Sequence, residues 1–146
     1  MKQTKFYNIH KKLNAKIVEF AGFLMPIQYT SIIAEHKAVR NSVGVFDVSH
    51  MGEVFVKGEK ALDFVQKITI NDVSKLFPGR IQYSAMCYED GGIVDDLLVY
   101  CLSQNEFMLV VNASNIEKDF EWMKKNSNEF NGNVELKNAS DDYSLL

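Results

Sequence analysis

Two apolar runs, IQYSAMCY at residues 81–88 and IVDDLLVYCL at 93–102, are separated only by Glu89-Asp90-Gly91-Gly92. The spacing predicts a β-hairpin, because glycines reach the positive φ that tight turns need. An antiparallel pair in mid-chain restricts the fold to one built around a sheet. Within the second run, Ile93, Asp95, Leu97 and Val99 share one face, and Val94, Asp96, Leu98 and Tyr100 share the other. Each aspartate thus lies between apolar neighbours, where an ionised carboxylate needs partners, a rim position or a chemical task.

Directly opposed residues project from the same face, so loop length decides which aspartate meets which partner. An even loop such as Gly91-Gly92 places Asp96 with Tyr83, Ala85, Cys87, Leu98 and Tyr100; a three-residue loop puts Asp95 there instead. The even loop is the expectation, with Asp96 beside Tyr83, because two-residue Gly-Gly hairpins are common. A carboxylate among tyrosines and aliphatic groups suits a flat aromatic ligand bearing amine donors. The structural alternative is a carboxylate that caps a loop or pairs with Lys or Arg, and residue chemistry leaves both open.

The remaining pattern is mixed. Residues 4–13 read as a short helix, followed by an apolar stretch, AKIVEFAGFLMP, that Pro26 ends. A helix then starts at Thr30 or Ser31 and stops at Gly44. VFDV and GEVFVKG read as short strands, and EKALDFVQKI as a helix with an apolar stripe of Ala61, Leu62, Val65 and Ile68. After the hairpin come a strand in EFMLVVN, a helix NIEKDFEWMKKN opened by a capping box at Ser114-Asn115-Ile116-Glu117, and closing strands VELKN and YSLL. From Gly52 to Asn138 the order is strand, helix, three strands, helix, strand. This predicts an α+β domain close to the ferredoxin-like split βαβ, a mostly antiparallel sheet with helices on one face. The expected division is 1–51 as the N-terminal segment of a discontinuous first domain, 52–138 as the ferredoxin-like domain, and 139–146 as the start of the returning first-domain segment, truncated within a strand.

Composition excludes several classes. With 146 residues, 47% apolar and 24% charged, the chain can bury a core as an ordinary globular protein. A net charge of −3 without a basic stripe argues against nucleic acid as a partner. No apolar run has signal-peptide or membrane-spanning character, so a cytoplasmic location is expected. Cys87 and Cys101 read as reduced structural thiols. His10, His36 and His50 lack metal-ligand spacing, and no bound metal is expected. Asp47, Ser49 and His50 in FDVSHMGE suggest a hydrolase triad, but sequence adjacency is not how triads assemble and GxSxG is missing; a tight turn with Ser49 and His50 bonding backbone is the better reading. Asn71 and Asn112 read as amides that cap loops or meet a ligand.

The runs AGFLMPIQYTSIIAEHKAVRNSVGVFDVSHMGE, QYSAMCYEDGGIVDDLLVY and VVNASNIEKDF, in that order, resemble the N-terminal part of the T-protein (aminomethyltransferase) family of the glycine cleavage system. The resemblance covers essentially the whole chain. It implies a tetrahydrofolate-dependent transfer in which the aminomethyl group on the lipoyl arm of the H-protein yields methylene-tetrahydrofolate, ammonia and the reduced arm. It also implies that Asp96, the second aspartate of the GGxxDD motif, is the catalytic carboxylate near N10 of the folate, with Asp95 structural. Tyr83, Met51 and Asn112 would line the folate pocket and Leu98 would pack on the ring.

Tyr88 departs from the family, where a polar residue such as Asn is more usual, and this bears only on the hairpin rim. Family members are more than twice as long, with three domains around a folate channel, and the Glu and Arg that hold the pterin and tail lie in segments beyond Leu146. The expectation is therefore a fragment that is inactive by itself. Two other readings are a non-catalytic folate-binding or iron–sulfur assembly relative of the same fold, and a folate domain of a larger demethylating or amine-oxidising enzyme. The DD pair weighs against the first, and the close match of VGVFDVSHMGE against the second.

Overall fold

The computed structural model describes residues 1–146, which divide into two compact units, one of residues 1–50 with 144–146 and one of residues 51–143. The first unit holds β1 (Lys2–Gln3), α1 (Tyr7–Lys12), β2 (Lys16–Phe20), β3 (Phe23–Gln28) and α2 (Ile32–Asn41). Its sheet runs β1-β3-β2, with β1 parallel and β2 antiparallel to β3. The apolar stretch 15–26 is thus a hairpin, and Pro26 does not end it. Pro26 lies within β3 opposite Ile17, beside an irregularity in the register and beyond the two-residue reach of β1, where a missing N–H is tolerated. The Ser31 hydroxyl accepts from the Ala34 N–H and opens α2, which ends at Asn41, before Gly44.

Two expected strands do not form. VFDV lies in an irregular segment with Val45 and Phe46 exposed, and YSLL is likewise irregular. β-propensity needs a partner edge to become a strand, and here the pairing is a single bond, Val48 N–H to the Leu145 carbonyl.

The second unit holds β4 (Gly52–Lys57), α3 (Ala61–Ile68), β5 (Ile81–Cys87), β6 (Ile93–Ser103), β7 (Glu106–Val111), α4 (Ile116–Ser127) and β8 (Glu135–Asn138). The sheet order is β5-β6-β7-β4-β8 and every neighbouring pair is antiparallel. β7 lies between β4 and β6, and β4 between β7 and β8. These are the two interleaved split βαβ units of a ferredoxin-like sheet, with β5 as an added edge.

Alternation buries Val54, Val56, Leu97, Val99, Phe107, Leu109 and Val111 on one face, against Phe64 and Val65 of α3 and Ile116 and Met123 of α4. The buried stripe of α3 is Ala61, Phe64, Val65 and Ile68, whereas Leu62 is only partly covered. The helix is rolled so that its largest side chain enters the core, which is worth about 1.5–3 kcal/mol for a Phe. The capping box at Ser114–Glu117 does not form: Ala113–Asn115 is a 3₁₀ turn, and Asn115 precedes α4 without a side-chain cap. Gly52 is required where β4 meets α4, since a Cβ there would lie 2.6 Å from Ile116 Cγ1. Cys87 and Cys101 are free thiols. No helix is long and apolar enough to cross a membrane.

Candidate functional site on the open sheet face

The hairpin between β5 and β6 differs from the even loop that was expected. Tyr88 N–H donates to the Gly92 carbonyl at 2.7 Å and Gly91 N–H to the Tyr88 carbonyl at 3.0 Å, with Gly91 at φ 88°. The loop is therefore the three residues Glu89–Gly91, a turn closed by a left-handed glycine. Such a loop alone would bring Asp95 beside Tyr83. One extra residue reverses the parity: Cys87 pairs with Ile93 but Met86 pairs with Asp95, so Val94 is a β-bulge. Beyond it Ala85 faces Asp96 and Tyr83 faces Leu98. The Tyr83 hydroxyl donates to Asp96 Oδ2 at 2.6 Å, and that bond raises the phenol's pKa.

Every residue that the resemblance assigned to the ligand lies on the sheet face opposite the helices, whereas Asp95 does not. Tyr83, Leu98, Val110 and Glu53 form one cross-strand row. Ala85 and Asp96 begin the next, and continuing the register by one residue places Asn112 and then Met51 in it. Tyr83 and Asp96 are exposed, and Leu98, Met51 and Asn112 are half-buried. Asn71 has a structural task instead, donating through Nδ2 to the Tyr83 carbonyl.

Asn112 joins the two aspartates. Its Nδ2 donates to Asp95 Oδ1 at 3.0 Å and to Asp96 Oδ1 at 2.9 Å, and its backbone N–H reaches Asp95 Oδ2 at 3.4 Å. Asp95 points to the helix side and is buried. Burial would raise its pKa, but hydrogen bonds with Asp119, Asn112 and Asn115 outweigh that and hold it below the usual carboxylate value. Asp119 on α4 is fully buried, and burial together with the neighbouring Asp95 pushes it up to about 8. Glu53 is also buried, its Oε2 has no partner, and desolvation raises it to about 7.

FDVSHMGE forms no triad. Asp47 Oδ1 accepts from the Ser49 N–H, and Ser49 exchanges bonds with the Leu145 backbone, as a turn requires. His50 bonds no backbone group: its Nδ1 is unpartnered and its ring meets Phe20 and Phe23 edge-on. Asp47 turns instead to Thr4 Oγ1 at 2.6 Å and His10 Nε2 at 2.7 Å, and the other ring nitrogen of His10 meets the Tyr29 hydroxyl at 2.7 Å. A groove of about 460 Å³ in this unit, lined by Tyr29, His36, Val39 and Phe46 among others, contains none of the sheet-face residues.

Sequence reasoning missed Asp119, Lys118 and Glu53. The only available signal was position: in NIEKDFEWM, Asp119 lies three residues after Ile116 and four before Met123, on the apolar face of α4. Glu53 alternates with Phe55, away from Val54 and Val56, and only tertiary burial marks it out.

Residues 6–146 match the family described as GCVT N-terminal domain. The aminomethyltransferase of Halothermothrix orenii is 58% identical over all 146 residues, and that of Thermosipho melanesiensis 59%. In both cases the chain spans 40% of the relative's length. Among solved structures, the glycine cleavage system aminomethyltransferase T from Bartonella henselae superposes with a TM-score of 0.84 at 33% identity, over 94% of this chain and 38% of that one. The match over nearly the whole chain, the identity of more than half its residues and the shared fold lead to one conclusion: the chain belongs to the GCVT N-terminal domain family.

Proposed function

We propose that this chain supplies one wall of the tetrahydrofolate site of a glycine cleavage system aminomethyltransferase acting in the cytoplasm. The reaction moves the aminomethyl carbon from sulfur on the lipoyl arm of the H-protein to tetrahydrofolate. The C–S and C–N bonds of the aminomethyl group break, ammonia leaves, the arm is left as the dithiol, and methylene-tetrahydrofolate forms. The observation that carries the reading is Asp96, a carboxylate on the open sheet face beside the Tyr83 phenol and the Asn112 amide. The Asn112 Nδ2 hydrogens go to the two aspartates and its Oδ1 accepts no bond within the protein, so two acceptors stand side by side for a ligand rich in N–H donors.

In this reading Asp96 orients the folate amine and handles the proton released as the new C–N bond forms. Tyr83, Leu98 and Met51 offer aromatic, aliphatic and thioether contact to the ring. The relatives extend well beyond the length matched here, and the rest of the site is assigned to those segments, so the chain by itself is inactive. Residues 1–51 and 139–146 belong to one discontinuous domain around the 52–138 domain.

The test is a chimaera in which residues 1–146 replace the matching part of the Halothermothrix orenii enzyme. With H-protein and tetrahydrofolate it is expected to release ammonia, and Asp96→Asn is expected to lower kcat roughly 10²–10⁴-fold with an unchanged thermal midpoint. An Asp96→Asn chimaera of undiminished turnover would remove Asp96 from the chemistry and favour a binding role.

A further inference from the structure

The loop between α3 and β5 runs along the outer edge of the strand that carries Tyr83, and the reaction above does not use it. β5 is an edge strand, paired only with β6. Residues 70–72 cover its other side in antiparallel order. The Ile70 N–H donates to the Ala85 carbonyl at 3.1 Å, and the Asn71 N–H to Ser84 Oγ at 3.3 Å. Asn71 Nδ2 donates to the Tyr83 carbonyl at 2.6 Å, and Gln82 Nε2 to the Asp72 carbonyl at 3.1 Å. Every residue of β5 from Gln82 to Ala85 is thereby bonded to the loop. Gln66 of α3 fixes the loop in turn: its Nε2 donates to the Asn71 carbonyl at 3.1 Å, and its Oε1 accepts from the Val73 N–H at 2.8 Å.

Tyr83 and Ala85 are the β5 residues that project onto the candidate site, opposite Leu98 and Asp96. In an antiparallel pair the backbone groups of alternate residues point at the partner strand, and those between point away. The Tyr83 and Ala85 carbonyls take their bonds from the loop, on the side away from β6, so the β5–β6 ladder does not hold them. We propose that Asn71 is a positioning residue of the candidate site: by engaging the Tyr83 carbonyl it fixes the main chain from which the phenol reaches Asp96. The inference rests on the folate-wall reading for its effect on binding, and on the hydrogen bonds alone for its effect on Tyr83. The phenol lies 2.6 Å from Asp96 Oδ2. A main-chain shift of about 1 Å carries such a contact beyond the range of roughly 2.5–3.0 Å in which O–H···O bonds form. Because the Asn71–Tyr83 bond is exposed, water takes up the carbonyl when the amide is removed, and the strand edge is freed at little cost to the fold.

Asn71→Asp keeps the shape of the side chain and removes the donor. Asn71→His restores one, since its Nδ1–H lies as many bonds from the main chain as Asn71 Nδ2. In the 146-residue chain, nuclear Overhauser contacts between the Tyr83 ring and the Asp96 β-protons are expected to be lost in Asn71→Asp and to return in Asn71→His. The thermal midpoint is expected to move by less than about 4 °C in either. In the chimaera, Asn71→Asp is expected to lower tetrahydrofolate affinity about three- to tenfold, with recovery in Asn71→His. Tyr83→Phe removes the group through which Asn71 acts. In that background Asn71→Asp is expected to change affinity by less than about twofold.

Tyr83–Asp96 contacts that persist in Asn71→Asp would overturn the inference whether or not folate binds. So would an affinity loss of the same size with and without the Tyr83 hydroxyl, which is what a general loosening of the sheet produces. If Asn71→Asp does not fold, Asn71→Ala, which removes the amide without adding a charge, is read in the same way; unfolding of both variants shows a purely structural residue and overturns the inference. A chimaera that binds no tetrahydrofolate while the Tyr83–Asp96 contacts respond as expected would count against the folate reading alone.

Discussion

The Lys118 ammonium donates to the Val94 carbonyl at 2.6 Å, tying α4 to the inserted residue that decides which aspartate faces Tyr83. Lys118→Met is expected to cost about 1 kcal/mol, because the ammonium is partly solvated and one charge-assisted bond is lost. Removal of Val94 is expected to turn the hairpin into a regular ladder in which Asp95 still faces Met86 and Asp96 stays beside Tyr83. Denaturant melts and contacts between the Tyr83 ring and aspartate β-protons check both. If Asp96 leaves Tyr83 when Val94 is removed, the register is not held by the three-residue turn.

Two buried acids make the second unit less stable in alkali. Glu53 is raised to about 7 and Asp119 to about 8, both above their values in the unfolded chain. Their contribution is therefore complete below about pH 4 and is lost as the pH rises through 7 to 8. Glu53→Gln is expected to match the parent at pH 5 and exceed it by about 1–3 kcal/mol at pH 8. Parallel melts at the two pH values are the check, and an equal difference at both would show that Glu53 is not the titrating group.

The first unit has the opposite dependence. Burial tends to raise Asp47, but bonds from Thr4, His10 and Ser49 bring it below its usual value. Its contribution is present above the unfolded pKa of about 4 and is lost as the pH falls through the lower folded value. Because the Asp47 and His10 side chains are 1% and 6% exposed, Asp47→Ala is expected to cost about 1–3 kcal/mol by leaving His10 and Thr4 without their partner. Hydrogen exchange of the β2 and β3 amides, compared between the two chains, measures it; unchanged protection would refute the buried-pair account.

Tyr83→Phe tests the phenol without altering packing. The ring remains and the donor to Asp96 goes, so the thermal midpoint is expected to hold while tetrahydrofolate affinity of the chimaera falls about three- to tenfold. Equal affinity would mean that the Tyr83–Asp96 bond is not part of the ligand wall.

Most of the fold was legible because its signals are local or periodic. Alternation marked β4 to β8, glycines marked the hairpin, and the 3.6 period marked α3 and α4. VFDV and YSLL were misread because a β-prone run becomes a strand only where an edge accepts it. Tyr83 and Asp96 do share a face, but through two departures that cancel: the loop is one residue longer than expected, and Val94 adds another.

What the chain alone determined is therefore the element types, the antiparallel hairpin, the split βαβ order and the family, all of which reside in neighbouring residues and long ordered motifs. Tertiary structure decided the bulge, the burial of Glu53, the pairing of His10 with Asp47 across the first unit, and the meeting of Asp95 with Asp119. Each of these depends on which groups lose water together. Desolvation is a property of the packed neighbourhood, and the residues that create it are distant along the chain.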